Sequence, residues 1–241
     1  MKVNKDLFGQ ALCQFYFEKD SAKLYSETNI SRWDEYPLDY LFRDFDQMPQ
    51  LERKALTMAK GKILDVGCGV GSHSLHLQNQ ECDVWAIDSS FGATSVAKAR
   101  GVNQVAHASL LDYNEKNFDT ILMLMNGTGI FESLESVAVY LDHLKTLLSP
   151  DGIVLIDSSD LKYMYDPGPD GAIWVPANRY YGALEFRLRY KKQLSEKFPW
   201  LFIDQNLFAD LAQTNGWSFE IITKGEHYDF LAQLKPFKAL K

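Results

Sequence analysis

The chain has 241 residues, 46% of them hydrophobic, and a formal charge of −7, which suits one substantial core with elaborations better than two domains. That acidic balance excludes the electrostatic footprint of sequence-independent nucleic-acid or anionic-membrane binding, so a small or locally docked substrate is expected. No apolar run reaches the ~18 residues of a membrane span, the N-terminus carries no signal-peptide apolar stretch, and Cys13, Cys68 and Cys82 lack metal-type spacing, all of which points to reduced thiols and the cytoplasm.

Residues before Lys60 read as mainly helical and carry Trp33, Tyr36 and Tyr40, which predicts a helical N-terminal cap over 1–60. From Lys62 onward strand and helix alternate. Lys62–Val66 is a short apolar strand, Ser72–Gln80 a helix and Cys82–Ile87 a β-rich strand; Phe91–Arg100 is a helix stopped by Gly101. Val102–Ala108 and Phe118–Met125 are the next strands, the second apolar enough for burial on both faces. Between Phe131 and Leu148 the residues Leu134, Val137, Leu141, Leu144 and Leu148 keep helical spacing, Ser149-Pro150-Asp151-Gly152 ends the run, and Ile153–Ile156 is another buried strand. This rhythm predicts βαβ units and a mostly parallel sheet.

The rhythm breaks over 160–204, a stretch rich in proline, glycine and aromatic residues that reads as an insertion in an α/β domain spanning 61–241. Within it Ala183–Tyr190 and Trp200–Ile203 are expected to pair as a hairpin, and Asp166-Pro167-Gly168-Pro169-Asp170-Gly171 to form an exposed loop tip. Asp204 has the position of an N-cap for a helix through Asn215, with Gly216 behind it. Ser218–Thr223 and Tyr228–Leu234 then make a final antiparallel pair.

One segment carries specific chemistry. Ile63-Leu64-Asp65-Val66-Gly67-Cys68-Gly69-Val70-Gly71 runs from a strand through a glycine-rich turn into a helix, the place where a ligand can lie against main chain. A dinucleotide turn needs G-x-G-x-x-G; this one is G-x-G-x-G, and Asp65 before it suits a cationic ligand rather than a pyrophosphate. Asp88 ends the next strand, roughly twenty residues past the first glycine, where it can accept hydrogen bonds from ribose hydroxyls.

The run from Ile63 to Ser90 resembles motif I and the following acidic loop of class I S-adenosylmethionine-dependent methyltransferases. The resemblance implies a Rossmann-like α/β fold: a seven-stranded, mostly parallel sheet with an antiparallel last strand and helices on both faces. It implies S-adenosylmethionine as cofactor, held at its methionyl end by Gly67, Cys68 and Gly69, at its ribose by Asp88, and flanked at its adenine by Ser109 and Leu110, with Asp112 as a substitute for the acid many members carry at Ser109; Asp65, Gly71 and Ser89 complete the cofactor-binding set. Phe118–Gly127 resembles motif IV, whose end, Met125 and Asn126, faces cofactor and acceptor; because Gly127 follows Asn126, the Asn-Pro-Pro-Tyr signature of adenine and glutamine amide methylation is missing. Asn126, Asp157, Asp160 and His73 are the candidate catalytic groups, with Asp157, Asp160 or His73 as the base, and Trp174 and Tyr181 the candidate walls of an acceptor chamber. No metal site is expected, the weaker alternative being a hard cation among Asn126, Asp157 and Asp160. Two readings compete: a non-catalytic cofactor-binding module, and a nicotinamide-dependent oxidoreductase, which the glycine spacing disfavours.

Overall fold

The computed structural model describes residues 2–165 and 173–238, so the turn-rich segment 166–171 lies outside the described residues. The chain begins with β1 (Lys2–Asn4), α1 (Leu7–Phe17), β2 (Leu24–Thr28) and β3 (Asp34–Tyr36), then two short 3-10 turns and α2 (Gln50–Met58). The alternating region follows as β4 (Lys62–Val66), α3 (Ser72–Asn79), β5 (Asp83–Asp88), α4 (Phe91–Ala99), β6 (Val105–His107), β7 (Phe118–Met123), α5 (Val137–Leu147) and β8 (Leu148–Ser159). After it come β9 (Ala183–Tyr190), β10 (Gln193–Ser195), β11 (Phe198–Leu201), α6 (Gln205–Thr214), β12 (Trp217–Lys224) and β13 (Asp229–Pro236).

Seven strands make the main sheet in the order β12-β13-β8-β7-β4-β5-β6. Strands β8 to β6 are parallel, and β13 runs antiparallel to both its neighbours. Alternation along β4 sends Leu64 to one face, against α5 and α6, and Ile63 to the other, against α2 and Leu77 of α3. Helices thus cover both faces, as parallel strands buried on both sides require. The edge strand β6 is shorter than the expected Val102–Ala108, because Val105–His107 alone meets a partner, β5. Helix α5 starts later than expected: Gly127–Phe131 is a 3-10 turn, and Glu132 at φ 66° stops it.

The N-terminal cap departs most from its helical expectation. Among its described residues α1 and α2 are the α-helices; β1, β2 and β3 join the insertion in a second sheet, ordered β1-β10-β9-β2-β3 with β11 also on β9. The expected hairpin pairing is present within it, Phe198 lying opposite Phe186 and Leu201 opposite Ala183. Register places Leu24 opposite Tyr190, both fully buried, and they close over Leu7, Ala11 and Leu12 of α1. Strand β2 carries the polar Ser26 and Thr28 on the same face as Leu24 and has its main partner far along the chain, so local periodicity hides it. Among the described residues no helix is long and apolar enough to cross a membrane.

Candidate active site

At the carboxyl end of β4 the chain turns through Gly67, Gly69 and Gly71 at φ 72°, 54° and 82°, a region that disfavours any side chain. The turn is fixed to its neighbour, since Gly67 N and Cys68 N both donate to Ile87 O of β5 at 2.9 and 3.0 Å. Its glycines differ in surroundings. A Cβ on Gly71 would stand 2.5 Å from Val102 Cγ2, whereas a Cβ on Gly69 would meet nothing within 4 Å. Gly69 therefore faces an open cradle, and Gly71 is a packing contact. Cys68 turns its side chain into a cluster with Ala86, Ala97 and Val102, where burial pushes its thiol well above the ordinary range; only its main chain is offered to a ligand.

Asp88, at the end of β5 and partly exposed, is held on both oxygens: Oδ2 accepts from Gly69 N and Oδ1 from Ser90 N, each at 2.8 Å. Each oxygen keeps a second lone pair for a hydroxyl donor. Burial raises its pKa, against which those two backbone donors act. Asp65 lies beneath the turn at 1% exposure, bonded by Ser74 Oγ at 2.5 Å, and burial raises its pKa as well. Ser89 is exposed beside Asp88. Farther along the same edge Ser109 Oγ donates to Asp112 Oδ2 at 2.6 Å, both exposed, next to buried Leu110. A cradle over glycine main chain, with a carboxylate at the next strand's end, occupies the crevice where open α/β sheets bind ligands.

Residues 39–218 match the family described as "Methyltransferase domain". A SAM-dependent methyltransferase from Bacteroides fragilis, solved in complex with S-adenosyl-L-homocysteine, is 42% identical and covers 99% of this chain and 98% of its own, with a TM-score of 0.91. The chain belongs to the S-adenosylmethionine-dependent methyltransferases. Its cofactor is S-adenosylmethionine and its reaction is methyl transfer. An S-adenosylmethionine-dependent methyltransferase from Clostridium acetobutylicum (16% identity, TM-score 0.57, 81% of this chain and 93% of that one) shares the fold alone. So does DesVI from Streptomyces venezuelae, at 16% identity and TM-score 0.58 over 82% of this chain and 92% of that one. No curated protein matches the chain.

In this methyltransferase Met125 and Asn126 follow β7 with φ 66° and 62°, two successive left-handed residues other than glycine. Asp157 of β8 braces that turn: it is 8% exposed, its Oδ1 accepts from Gly127 N at 2.8 Å, and burial pushes its pKa up to about 6. Asn126 is not free. Its Nδ2 donates to Leu201 O at 3.2 Å, while Ser158 Oγ accepts from Thr128 Oγ1 and from Ile203 N, both at 2.8 Å, stitching the turn to the end of β11. Asp160 caps a short 3-10 turn through Lys162 N at 3.0 Å and accepts from Tyr181 Oη at 2.8 Å.

His73 is 7% exposed in α3, and its Nε2 lies 2.7 Å from Glu52 Oε2 of α2. Burial alone would lower its pKa, but Glu52 and Asp65 reverse that and hold it above the ordinary value. Glu52 also pairs with Arg43; burial works to raise its pKa, and the His73 and Arg43 contacts bring it below the ordinary value. Glu52 and Arg43 escape sequence reasoning because no motif links them to His73, which lies on another helix. Among the described residues no group of three or more His, Cys, Asp or Glu is placed to hold a metal ion. Trp174 is 75% exposed, and Tyr181 spends its hydroxyl on Asp160 and Asp204. Trp200 comes closer: a Cβ on Gly129 would fall 2.0 Å from its ring.

Proposed function

We propose that the enzyme methylates a small molecule in the cytoplasm, and that its acceptor lies between the turn after β7 and the aromatic face of the second sheet. The observation that carries this is the seating of Trp200 on Gly129, with Phe198 and Phe186 stacked on the same face at 6.0 Å and Phe198 packed in one cluster with Met125. All three cysteines are free thiols, in keeping with a reducing compartment.

The cradle fits the cofactor, because the position a Cβ would fill at Gly69 is open and Asp88 stands at its rim. Gly67, Cys68 and Gly69 would hold the methionyl end through main chain, with Asp65 beneath them and Gly71 keeping the helix close. Asp88 and Ser89 would hold the ribose, Ser109 and Leu110, with Asp112, the adenine, and Met125 the region of the sulfur. When bound, S-adenosylmethionine supplies a methyl group already activated by the sulfonium charge, so the chain's tasks are alignment and exclusion of water. The aromatic face would orient the acceptor, and Met125 and Asn126 would fix the approach distance. For an acceptor that must lose a proton, Asp157 is the group we favour: with a pKa near 6 it is ionised at neutral pH and basic enough to take one. His73, Asp160 and Asn126 are committed to Glu52, Tyr181 and Leu201.

The test supplies S-adenosylmethionine labelled in its methyl group to cell extract and separates small from large products. Label should enter the small fraction, and Trp200→Ala should abolish that transfer while cofactor affinity stays within about threefold, ~0.7 kcal/mol. Label in protein or nucleic acid alone overturns the proposal.

A further inference from the structure

The N-terminal helix is fastened to the cofactor cradle by one carboxylate. Asp6 caps α1, its Oδ1 accepting from Gly9 N at 2.9 Å. The same oxygen accepts from Ser90 Oγ at 2.8 Å, and Oδ2 accepts from Gly92 N at 3.0 Å, so Asp6 serves the first turns of α1 and α4 together. Ser90 caps α4 through Ala93 N, and its own N–H is one of the two donors that orient Asp88. Hydrogen bonds therefore run without a break from Gly69 through Asp88 and Ser90 to Asp6 and α1. The crossing is tight as well, since a Cβ on Gly92 would stand 2.4 Å from the backbone of Gly9. Upstream, β1 pairs in parallel with β10, Val3 opposite Leu194, so the helix is tethered at its other side to the insertion.

We propose that Asp6 is a latch on the cofactor site, a positioning residue that fastens α1 to α4 and acts on the ribose through Ser90 and Asp88. A carboxylate that accepts from two helix N-termini gains from both dipoles, and its removal leaves Gly9 and Gly92 donors and the Ser90 hydroxyl without their partner. Loss of the latch frees α1 from α4 and lets Ser90, hence Asp88, move. The proposal rests on the ribose assignment of Asp88.

Two variants attack the latch differently: Asp6→Ala removes the carboxylate, while Gly92→Ala keeps it and wedges the helices apart. Each is loaded with labelled S-adenosyl-L-homocysteine, and its release is timed after dilution into excess unlabelled ligand. Release should quicken roughly tenfold in both. A purely structural contact would lower Tm and leave the release rate alone, and that result in both variants overturns the latch. If Asp6→Ala does not fold, Gly92→Ala decides. Asp88→Ala measured alongside separates the claims. Weakened affinity there with unchanged release in the latch variants overturns the latch alone; full affinity in Asp88→Ala overturns the ribose assignment and the latch with it.

Discussion

Gly69 and Gly71 stand two apart in one turn, and a methyl group added to each meets different surroundings. At Gly71 it collides with Val102 and Ala97, so Gly71→Ala should destabilise the fold by overpacking, ~1–3 kcal/mol, plus ~1–2 kcal/mol of left-handed strain. At Gly69 it enters open space, so Gly69→Val should suffer the strain alone while losing S-adenosylmethionine binding. Urea denaturation and calorimetry on both variants check this; normal cofactor binding by Gly69→Val would mean that the turn holds no ligand.

Asp157 makes a second residue-scale prediction. Its pKa rises on folding from 3.8 to about 6, so the folded protein binds this proton more tightly than the unfolded chain. The carboxyl therefore contributes stability only while protonated, and that contribution fades as pH climbs from about 4 through about 6. At ~1.4 kcal/mol per pKa unit the change is on the order of 3 kcal/mol. Compared with Asp157→Asn, whose amide oxygen can still accept from Gly127 N, the wild type should lose that much stability between pH 4 and pH 7. A constant difference across the range would contradict the assignment.

At the scale of elements, the join between β8 and the insertion depends on Ser158, whose hydroxyl accepts from Ile203 N and Thr128 Oγ1. Ser158→Ala leaves a buried N–H unsatisfied and should destabilise by ~1–3 kcal/mol, with faster amide exchange at Ile203 than in the main sheet. The same elements separate what the sequence displays from what it conceals. The succession from β4 to α4 is legible because each boundary is local: an apolar run, a glycine, a cap. Asp88 meets Gly69 for the same reason, a single β4-turn-α3-β5 unit setting both. Residues 24–28 are illegible because their alternation is weak and their partner, β9, lies across the chain. The ion cluster of Arg43, Glu52 and His73 is hidden likewise, one residue from a connecting segment and two from different helices with no spacing to announce them.

For the whole molecule, these pairings divide labour between two sheets. The parallel sheet presents the cofactor cradle at its carboxyl edge, and the second sheet is assembled from both ends of the cradle in sequence. Because Leu24 of the cap and Tyr190 of the insertion share one buried cluster with α1 and with Ala93 and Val96 of α4, neither the cap nor the insertion has a complete core alone. Leu12→Ala, at a fully buried position of α1, should therefore loosen both, at ~2–5 kcal/mol, and should raise amide exchange in β9 as well as in β2.

A sheet shared by distant segments also sets a timetable during synthesis. Strand β2 leaves the ribosome well before β9 has been made, and at ~5–20 residues per second the interval is roughly ten to thirty seconds. Throughout it Leu7, Leu12 and Leu24 have no β9 to cover them, although Asp6 can find Ser90 and Gly92 as soon as α4 emerges. The nascent chain is thus obliged to build its cofactor-binding half first and to carry an uncovered apolar N-terminus meanwhile, the interval in which a chaperone has something to hold.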